Sequence, residues 1–488
     1  MSEKFDVVVI GGGTGGLVTA SGCARLGRRV ALIEREALGG DCLWTGCVPT
    51  KALVASARLA HQMRTARAFG LPPVTPKVDP KSIMDSMREA QRIAGKQDDP
   101  EKFRKLGIDV IEGSARFVAN NAVEVEVSGP PLTGQPRAAV LHLEAKDIVI
   151  ATGSRTRVPP IDGLKEAGFI DHVSFLKQNA FPASILILGG GPLGIEFAQM
   201  LRRFGAEIII IEMLDTIVDK EDPDVIARVR QILREEGVEI YAGWSAKSVR
   251  REAGKKIVRI EDKNGESREV RVDEIFVASG RQGNTEDLGL EVAGVKTEKS
   301  YVVANKFLET TAARIWACGD VHGRLQLTHA AAYDAVKLVR NMLFPGKSAV
   351  NYDDIPWTLY TDPEVGHIGM TEPEARQALG DDVRIYSVEM ADVDRAVVDR
   401  ATRGFIKFVC DRQGRILGAH AMCTNASTLI EEIVLARKKG VKIGALAQLV
   451  SPYPSLAEAV QKAAASYYQN LSGSRIGALA RRIAAWSQ

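Results

Sequence analysis

A chain of 488 residues is too long for one ordinary core, so two to four domains are expected. Hydrophobic residues at 45% and charged residues at 26% are ordinary for a globular protein that stays in water. A formal net charge of +3 is too small for this length to argue for a nucleic acid as the main partner, and none is expected.

The opening MSEKFDVVVIGGG has no basic region ahead of an apolar core and a small-residue cleavage site, so no secretory signal is expected and the cytoplasm is the expected compartment. Val7 to Ala24 is an uncharged run of 18 residues, long enough to raise a membrane span. Six glycines interrupt it, and a strand, a glycine turn and a helix account for it better. The strand covers Phe5 to Ile10, the turn reads Gly11-x-Gly13-x-x-Gly16, and a second strand ends at Glu34. One glycine permits the tight turn, one lets the backbone approach a pyrophosphate, and one lets the helix pack closely on the strand. The helix N-terminus then receives the pyrophosphate, and Glu34 stands where a carboxylate accepts from ribose hydroxyls.

Next comes GGDCLWTGCVPTK, Gly39 to Lys51, with Cys42 and Cys47 five positions apart. That spacing is not a zinc-knuckle spacing, and no second CxxC or nearby CxxH accompanies it, so no metal site is expected from the cysteines. Without a secretory signal, a redox pair is favoured over a permanent disulfide. Cys23, Cys318, Cys410 and Cys423 lie in apolar settings and read as small buried residues. Trp44, between the paired cysteines, either shapes an acceptor face or packs in the core.

The cradle pattern then recurs in SILILGGGPLGIEFAQMLRRFGAEIIIIE, with Gly189, Gly191, Gly194 and a terminal Glu212. One GxGxxG is weak evidence; two, each in strand–turn–helix–strand context and closed by an acid at equal spacing, are strong. Two cradles mean two dinucleotides. After Glu212 comes MLDTIVDK, which has no arginine for a 2′-phosphate and adds Asp215, favouring NAD(H) over NADP(H).

With these features the chain resembles the flavoprotein disulfide reductases, the family that includes dihydrolipoamide dehydrogenase, glutathione reductase and mercuric reductase. The resemblance runs from about Lys4 to Ala465. GGDCLWTGCVPTK is similar to the family's redox-disulfide segment, and IVIATGSRTRVPPIDG, with Thr152 and Gly153, to its first crossover between nucleotide domains. FVASGRQGN, with Gly280, is similar to the return crossover, and IWACGD, with Asp320, to the second FAD motif. LYTDPEVGHIGMTE resembles the opening of the dimerisation domain. The implied fold is α/β: two Rossmann-like dinucleotide-binding domains, the NAD domain inserted in the FAD domain, then an α+β dimerisation domain. The implied boundaries are 1–154 and 280–346 for FAD, 155–279 for NAD(P), 347–470 for the interface domain, and 471–488 for a basic tail.

The resemblance implies FAD and a pyridine nucleotide as cofactors, and electrons passing from NADH to flavin to the Cys42/Cys47 disulfide and on to an acceptor. It makes Cys47 the thiol beside the flavin and Cys42 the interchange thiol. The start of a helix after a glycine turn also lowers a thiol's pKa. Lys51, one turn beyond Cys47, and Glu196, two residues after Gly194, match a lysine–glutamate pair of the family. The implied assembly is a homodimer with its active site completed across subunits.

One departure affects the acceptor. Disulfide-reducing members carry a His-Pro-Thr segment with a following glutamate; here it reads SPYPSLAE, with Tyr453 at the histidine position and Glu458 retained. A phenol of pKa ~10 is a poor proton shuttle, and such assistance is worth roughly 10²–10⁴-fold. Mercuric reductases resemble the chain in having tyrosine there, yet they carry a C-terminal cysteine pair, and this chain has no cysteine after Cys423. A dithiol or lipoyl disulfide, small or protein-borne, and a soft metal ion therefore both stay open as acceptors. So do a mercuric-type reductase using NADPH and a redox sensor or electron-delivery module for a protein partner. The C-terminal segment, with Arg475, Arg481 and Arg482 beside Ile476, Leu479, Ile483 and Trp486, has the spacing of a basic amphipathic helix. Packing on the dimer is its favoured reading, ahead of peripheral membrane contact.

Overall fold

The computed structural model describes residues 2–128 and 140–472. Among the described residues two compact units emerge: residues 2–53, 79–128, 140–181 and 276–352 form one, and residues 54–78, 182–275 and 353–472 form the other. The basic segment from 473 onward lies outside the described residues, while the helix Glu458–Ser472 takes in the expected start of the tail at 471.

In the first unit, β1 (Glu3–Ile10) lies parallel between β2 (Val30–Glu34) and β5 (Val140–Ile150), with Val9 opposite Leu32 on one side and Val149 on the other. Val7 to Ile10 and Val30 to Ile33 are buried throughout, as a parallel strand covered on both faces requires. β3 (Ile108–Ala119) pairs parallel with β2 through its first half, then turns into an antiparallel pairing with β4 (Ala122–Val127). β5 does the converse, pairing with β4 first and β1 afterwards, and the strand Ile315–Ala317 closes the parallel edge. Helix α1 (Thr14–Arg25) covers one face with Leu17, Ala20 and Cys23, packed with Leu338 and Val339 of the helix Thr328–Leu343.

The second unit repeats the motif: strands Ser184–Leu188, Glu207–Glu212 and Val238–Ala242 run parallel, with the helix Pro192–Arg203 between the first two in sequence. An antiparallel three-stranded sheet, residues 244–272, follows it. The C-terminal part is a five-stranded antiparallel sheet in which Glu364–Gly369 and Phe405–Cys410 flank Ile416–Cys423. Ile430 and Ile433 of the helix Ala426–Lys438, with Ala459, Val460 and Ala463 of Glu458–Ser472, seal its core. The architecture is thus α/β with two Rossmann-like cradles and an α+β C-terminal part.

Candidate functional site

Both cradles are built alike to the level of single hydrogen bonds. Gly11 and Gly189 turn at φ +110° and +115°, where a side chain would be strained. A Cβ on Gly16 would lie 1.8 Å from the Gly11 carbonyl oxygen, and one on Gly194 2.0 Å from that of Gly189, so only glycine permits each helix to approach its turn this closely. Gly12 N–H donates to Glu34 Oε2 at 2.6 Å, and Gly190 N–H to Glu212 Oε2 at 2.7 Å. The other oxygen of each acid accepts from the chain two residues on, Glu36 N at 2.8 Å and Leu214 N at 2.9 Å.

The middle glycines differ from their neighbours. A Cβ on Gly13 would meet nothing closer than 3.9 Å, and one on Gly191 nothing within 4 Å. No protein atom requires glycine there; a pyrophosphate drawn against the backbone at the helix N-terminus does. The residues present therefore fit two adenine dinucleotides.

The cysteine segment is pressed onto the first cradle. Gly39 N–H donates to Gly12 O at 2.9 Å, and a Cβ on Gly40 (φ +58°) would stand 2.7 Å from Gly13 Cα. This contact sets α2 (Gly40–Trp44), which carries Cys42, and after one tight turn α3 (Cys47–Thr65) begins at Cys47 itself. The turn is tied by Thr45 and Gly46 N–H to Asp41 O. Trp44 is 40% exposed, its indole N–H fixed on Leu38 O at 2.7 Å, so it is not a core residue.

Cys42 and Cys47 stand as free thiols in mutual hydrogen-bonding contact. The proton they share stays with Cys42, whose thiol is pushed far up by that bond and by burial. Cys47 is lowered to about 6: the Cys42 hydrogen bond is the largest cause, opposed by burial and aided by Thr328 and the charge of Lys51. Thr328 Oγ1 lies 3.4 Å from Cys47 Sγ, at the first position of its helix.

Around Asp41 is a cluster that sequence reasoning missed. Arg281 Nη2 donates to Asp41 Oδ2 at 2.7 Å, and His172 Nε2 lies 3.3 Å from Oδ1. Against the upward push of burial, His172 and Arg281 hold the Asp41 carboxyl well below the usual range. Arg281 Nε also donates to Ser154 Oγ at 2.7 Å, and Ser154 donates to Asp320 Oδ2 at 2.6 Å. Burial pushes the Asp320 carboxyl up, with Arg281 opposing. Thr152 and Gly153 are locked to Asn284: Thr152 Oγ1 donates to Asn284 O at 2.7 Å, and Asn284 N to Gly153 O at 3.0 Å. Gly280, at φ +106°, accepts from Arg157 N–H through its carbonyl at 3.0 Å. The crossover motifs contained Arg281, Ser154 and Asn284, but nothing in them signalled these contacts; for His172 no signal existed.

Lys51, Thr152, Gly153, Gly280 and Asp320 thus share the first unit with both cysteines and the first cradle, Gly11, Gly13, Gly16 and Glu34. Glu196, Tyr453 and Glu458 belong to the second unit with Gly189, Gly191, Gly194 and Glu212. Glu196 is buried and accepts Tyr360 N–H at 2.8 Å. Tyr453 is 72% exposed, its hydroxyl donating to Asp394 Oδ2 at 2.7 Å. Glu458 pairs through Oε1 with Lys462 at 2.9 Å, while its Oε2 is buried without a partner. The other four cysteines are buried, and burial pushes their thiols up, Cys23 and Cys423 to about 12. Among the described residues no helix is long and apolar enough to cross a membrane.

Residues 5–335 match the pyridine nucleotide-disulphide oxidoreductase family, and residues 355–464 match that family's dimerisation domain. Among curated relatives, a dihydrolipoyl dehydrogenase of Rhizobium etli is 32% identical over 481 residues, covering 96% of this chain and 99% of the relative. A mercuric reductase of Streptomyces lividans is 30% identical, covering 96% and 97%. The Cu(II) complex of the HOCl-induced flavoprotein disulfide reductase RclA from Escherichia coli aligns with a TM-score of 0.83 at 30% identity, covering 95% of this chain and 99% of that one.

Proposed function

The chain belongs to the pyridine nucleotide-disulphide oxidoreductase family, and on that premise we propose that it is an NADH-linked reductase of thiophilic metal ions. As a member it is an FAD-dependent enzyme working with a pyridine nucleotide, and its dimerisation domain supports a homodimer. Bound FAD supplies the step that the chain's own groups cannot, accepting hydride from the nicotinamide and reducing a disulfide by two electrons.

The Cys42/Cys47 pair carries the acceptor chemistry. Oxidation of the dithiol forms the S–S bond and releases two electrons and two protons. The electrons reduce one divalent ion by two, or two ions by one each, and the protons pass to solvent. Cys47, lowered to about 6, offers a thiolate without help from an external base. Such an acceptor needs a soft ligand and electrons, whereas thiol exchange also needs a proton returned to a leaving thiolate.

Tyr453 carries this reading. Where a proton shuttle would stand is a phenol, raised further above its ordinary value by its hydrogen bond to Asp394. In the proposed dimer Tyr453 and Glu458 stand at the partner subunit's Cys42. NADH is favoured over NADPH because Glu212 ends the second cradle's strand; Asp215, expected from the sequence to add a second negative charge, is paired with Lys263 at 3.0 Å and adds little to that preference. The four buried unpaired cysteines suit a reducing, cytoplasmic setting. The proposed division of the chain keeps 1–154 with 280–346 around FAD, and 155–279 around NAD.

Glu212 also favours a second reading, reduction of a lipoyl-type disulfide, since NAD(H) is the partner that reaction uses. The test is an anaerobic titration with NADH, then NADPH, followed by lipoamide, oxidised glutathione, Hg(II) and Cu(II) added singly. The expected outcome is reduction by NADH at lower concentration than NADPH, and reoxidation fastest by a metal ion. Reoxidation fastest by lipoamide would establish the second reading. Reduction without rapid reoxidation by any of the four would favour electron delivery to a protein.

A further inference from the structure

Inside the second unit a group of side chains belongs to none of the machinery above. Glu221 precedes the helix Pro223–Glu235, while His367 and His420 sit directly opposite each other on the antiparallel strands Glu364–Gly369 and Ile416–Cys423. All three are buried, His420 completely. One ligand atom from each lies within 4.8 Å of the other two, and the imidazole rings meet edge-on at 4.6 Å.

The hydrogen bonds fix which atoms are available. His367 Nε2 lies 2.9 Å from Gly369 O, so in the neutral ring that donates there the lone pair sits on Nδ1. That nitrogen faces Glu221 Oε2 at 3.1 Å. At this distance either a proton on Nδ1 or a metal ion between the two atoms is needed to join them. Ligand atoms bonded at about 2.0–2.1 Å to one tetrahedral ion stand a little over ~3 Å apart, close to the His367–Glu221 spacing.

His420 supplies the second observation. Neither ring nitrogen has a hydrogen bond of good geometry, a weak approach to the Met370 backbone aside, although the side chain is wholly buried. Its Nε2 stands 3.6 Å from Asp222 Oδ2, beyond hydrogen-bonding distance. A buried imidazole left without a partner is unfavourable, and a metal ion satisfies it.

The surroundings hold the ligands in place. Glu221 Oε1 accepts Trp357 Nε1–H at 2.6 Å, and the Trp357 ring stacks on His367 at 3.6 Å. A carbonyl on the far nitrogen of a ligating histidine and a donor on the far oxygen of a ligating carboxylate are the outer contacts that metal sites use. Lys407, a buried cation of the same unit, is engaged by Asp222, Asp224 and Glu372.

We propose that Glu221, His367 and His420 form a three-ligand site for a first-row divalent ion of the Zn²⁺ class. Two imidazoles and a carboxylate are a donor set that such ions favour. It is independent of the acceptor reading, because it uses none of the groups on which that reading rests.

The test uses the full-length Cys42→Ser/Cys47→Ser flavoprotein, so that thiols do not bind the ion, expressed in zinc-supplemented medium and dialysed against EDTA at neutral pH. Elemental analysis should find about one zinc per chain, and Co²⁺ exchanged in its place should give visible d–d bands of an N/O site. His420→Gln and His367→Gln should each lower zinc content at least about tenfold, as losing one of three ligands entails, while flavin content stays constant. A protein with no more than trace zinc that also takes up no Co²⁺ overturns the proposal, and so does undiminished zinc in a flavin-replete His420→Gln variant. If the cluster instead holds a proton, zinc is absent and His367 shows an imidazolium signal by ¹⁵N NMR.

Discussion

Cys47 and Asp41 show how far a single residue depends on neighbours remote in the chain. The Cys47 thiolate should persist above about pH 6 and be lost as the pH falls through that value, because its pKa is depressed. In NADH-reduced enzyme, the long-wavelength thiolate-to-flavin absorption should therefore fade with a midpoint near pH 6. Cys42→Ala removes the largest cause and should move the midpoint upward by more than Lys51→Met does, since Lys51 acts only through its charge. An unchanged midpoint in Cys42→Ala would break this account. At the other end of the chemistry, Tyr453→His should raise lipoamide or glutathione turnover, by up to about 10²-fold if a proton shuttle is what is missing. Unchanged turnover would leave the acceptor reading without its support. Cys42, Cys47 and Lys51 could be picked out of the sequence because ten residues hold them all. Arg281, His172 and Thr328 could not, because they reach the same place from 240, 131 and 281 positions away.

The glycine cradles are elements whose chemistry is local, and they were legible for that reason. Each is spelled within one strand–turn–helix, and the distance that demands glycine, 1.8 Å at Gly16 and 2.0 Å at Gly194, lies within a few residues of chain. Gly16→Ala should push α1 off β1 and yield protein poor in flavin. Gly194→Ala should retain flavin yet lose its reduction by NADH, seen as a rise in KM or no bleaching. Flavin loss in both, or neither, would show that the two cradles do not work separately. The Glu221–His367–His420 cluster illustrates the opposite case. Its members are 146 and 53 positions apart, so no ligand spacing exists to be read. Only the register that sets His367 opposite His420 brings them together.

At the scale of the whole molecule, buried charge pairs tie together segments remote in the chain. The second cradle and the C-terminal sheet share a compact unit, although a boundary by topology falls between them. Lys407, on a strand of that sheet, is 3% exposed and pairs with Asp222 at 2.8 Å and Asp224 at 2.6 Å. Arg203 of the cradle helix pairs with Glu236 at 2.8 Å and with Asp362 at 2.7 Å. Lys407→Met would leave three carboxylates around an apolar side chain and should destabilise the unit by about 3–5 kcal/mol, measured as a lower denaturation midpoint. Replacing Asp222 as well should recover part of the loss. Charge ties of this kind escape a reading by motif, since Lys407 looks in sequence like any strand lysine.

The twin hydrogen bonds, Gly12 to Glu34 and Gly190 to Glu212, carry a consequence for molecular identity. In the proposed assignment both cradles would meet the adenosine diphosphate half that FAD and the pyridine nucleotide have in common, and they would meet it with the same contacts. Neither can tell its own guest from the other's. Discrimination has to be written in the flanks, Leu38 and the Gly39–Gly40 contact beside one cradle, Ile217 beside the other. ADP-ribose should consequently compete at the second cradle as a generic visitor. Exchanging the flanks between the copies, rather than the glycines, is what would confuse the enzyme about which nucleotide belongs where.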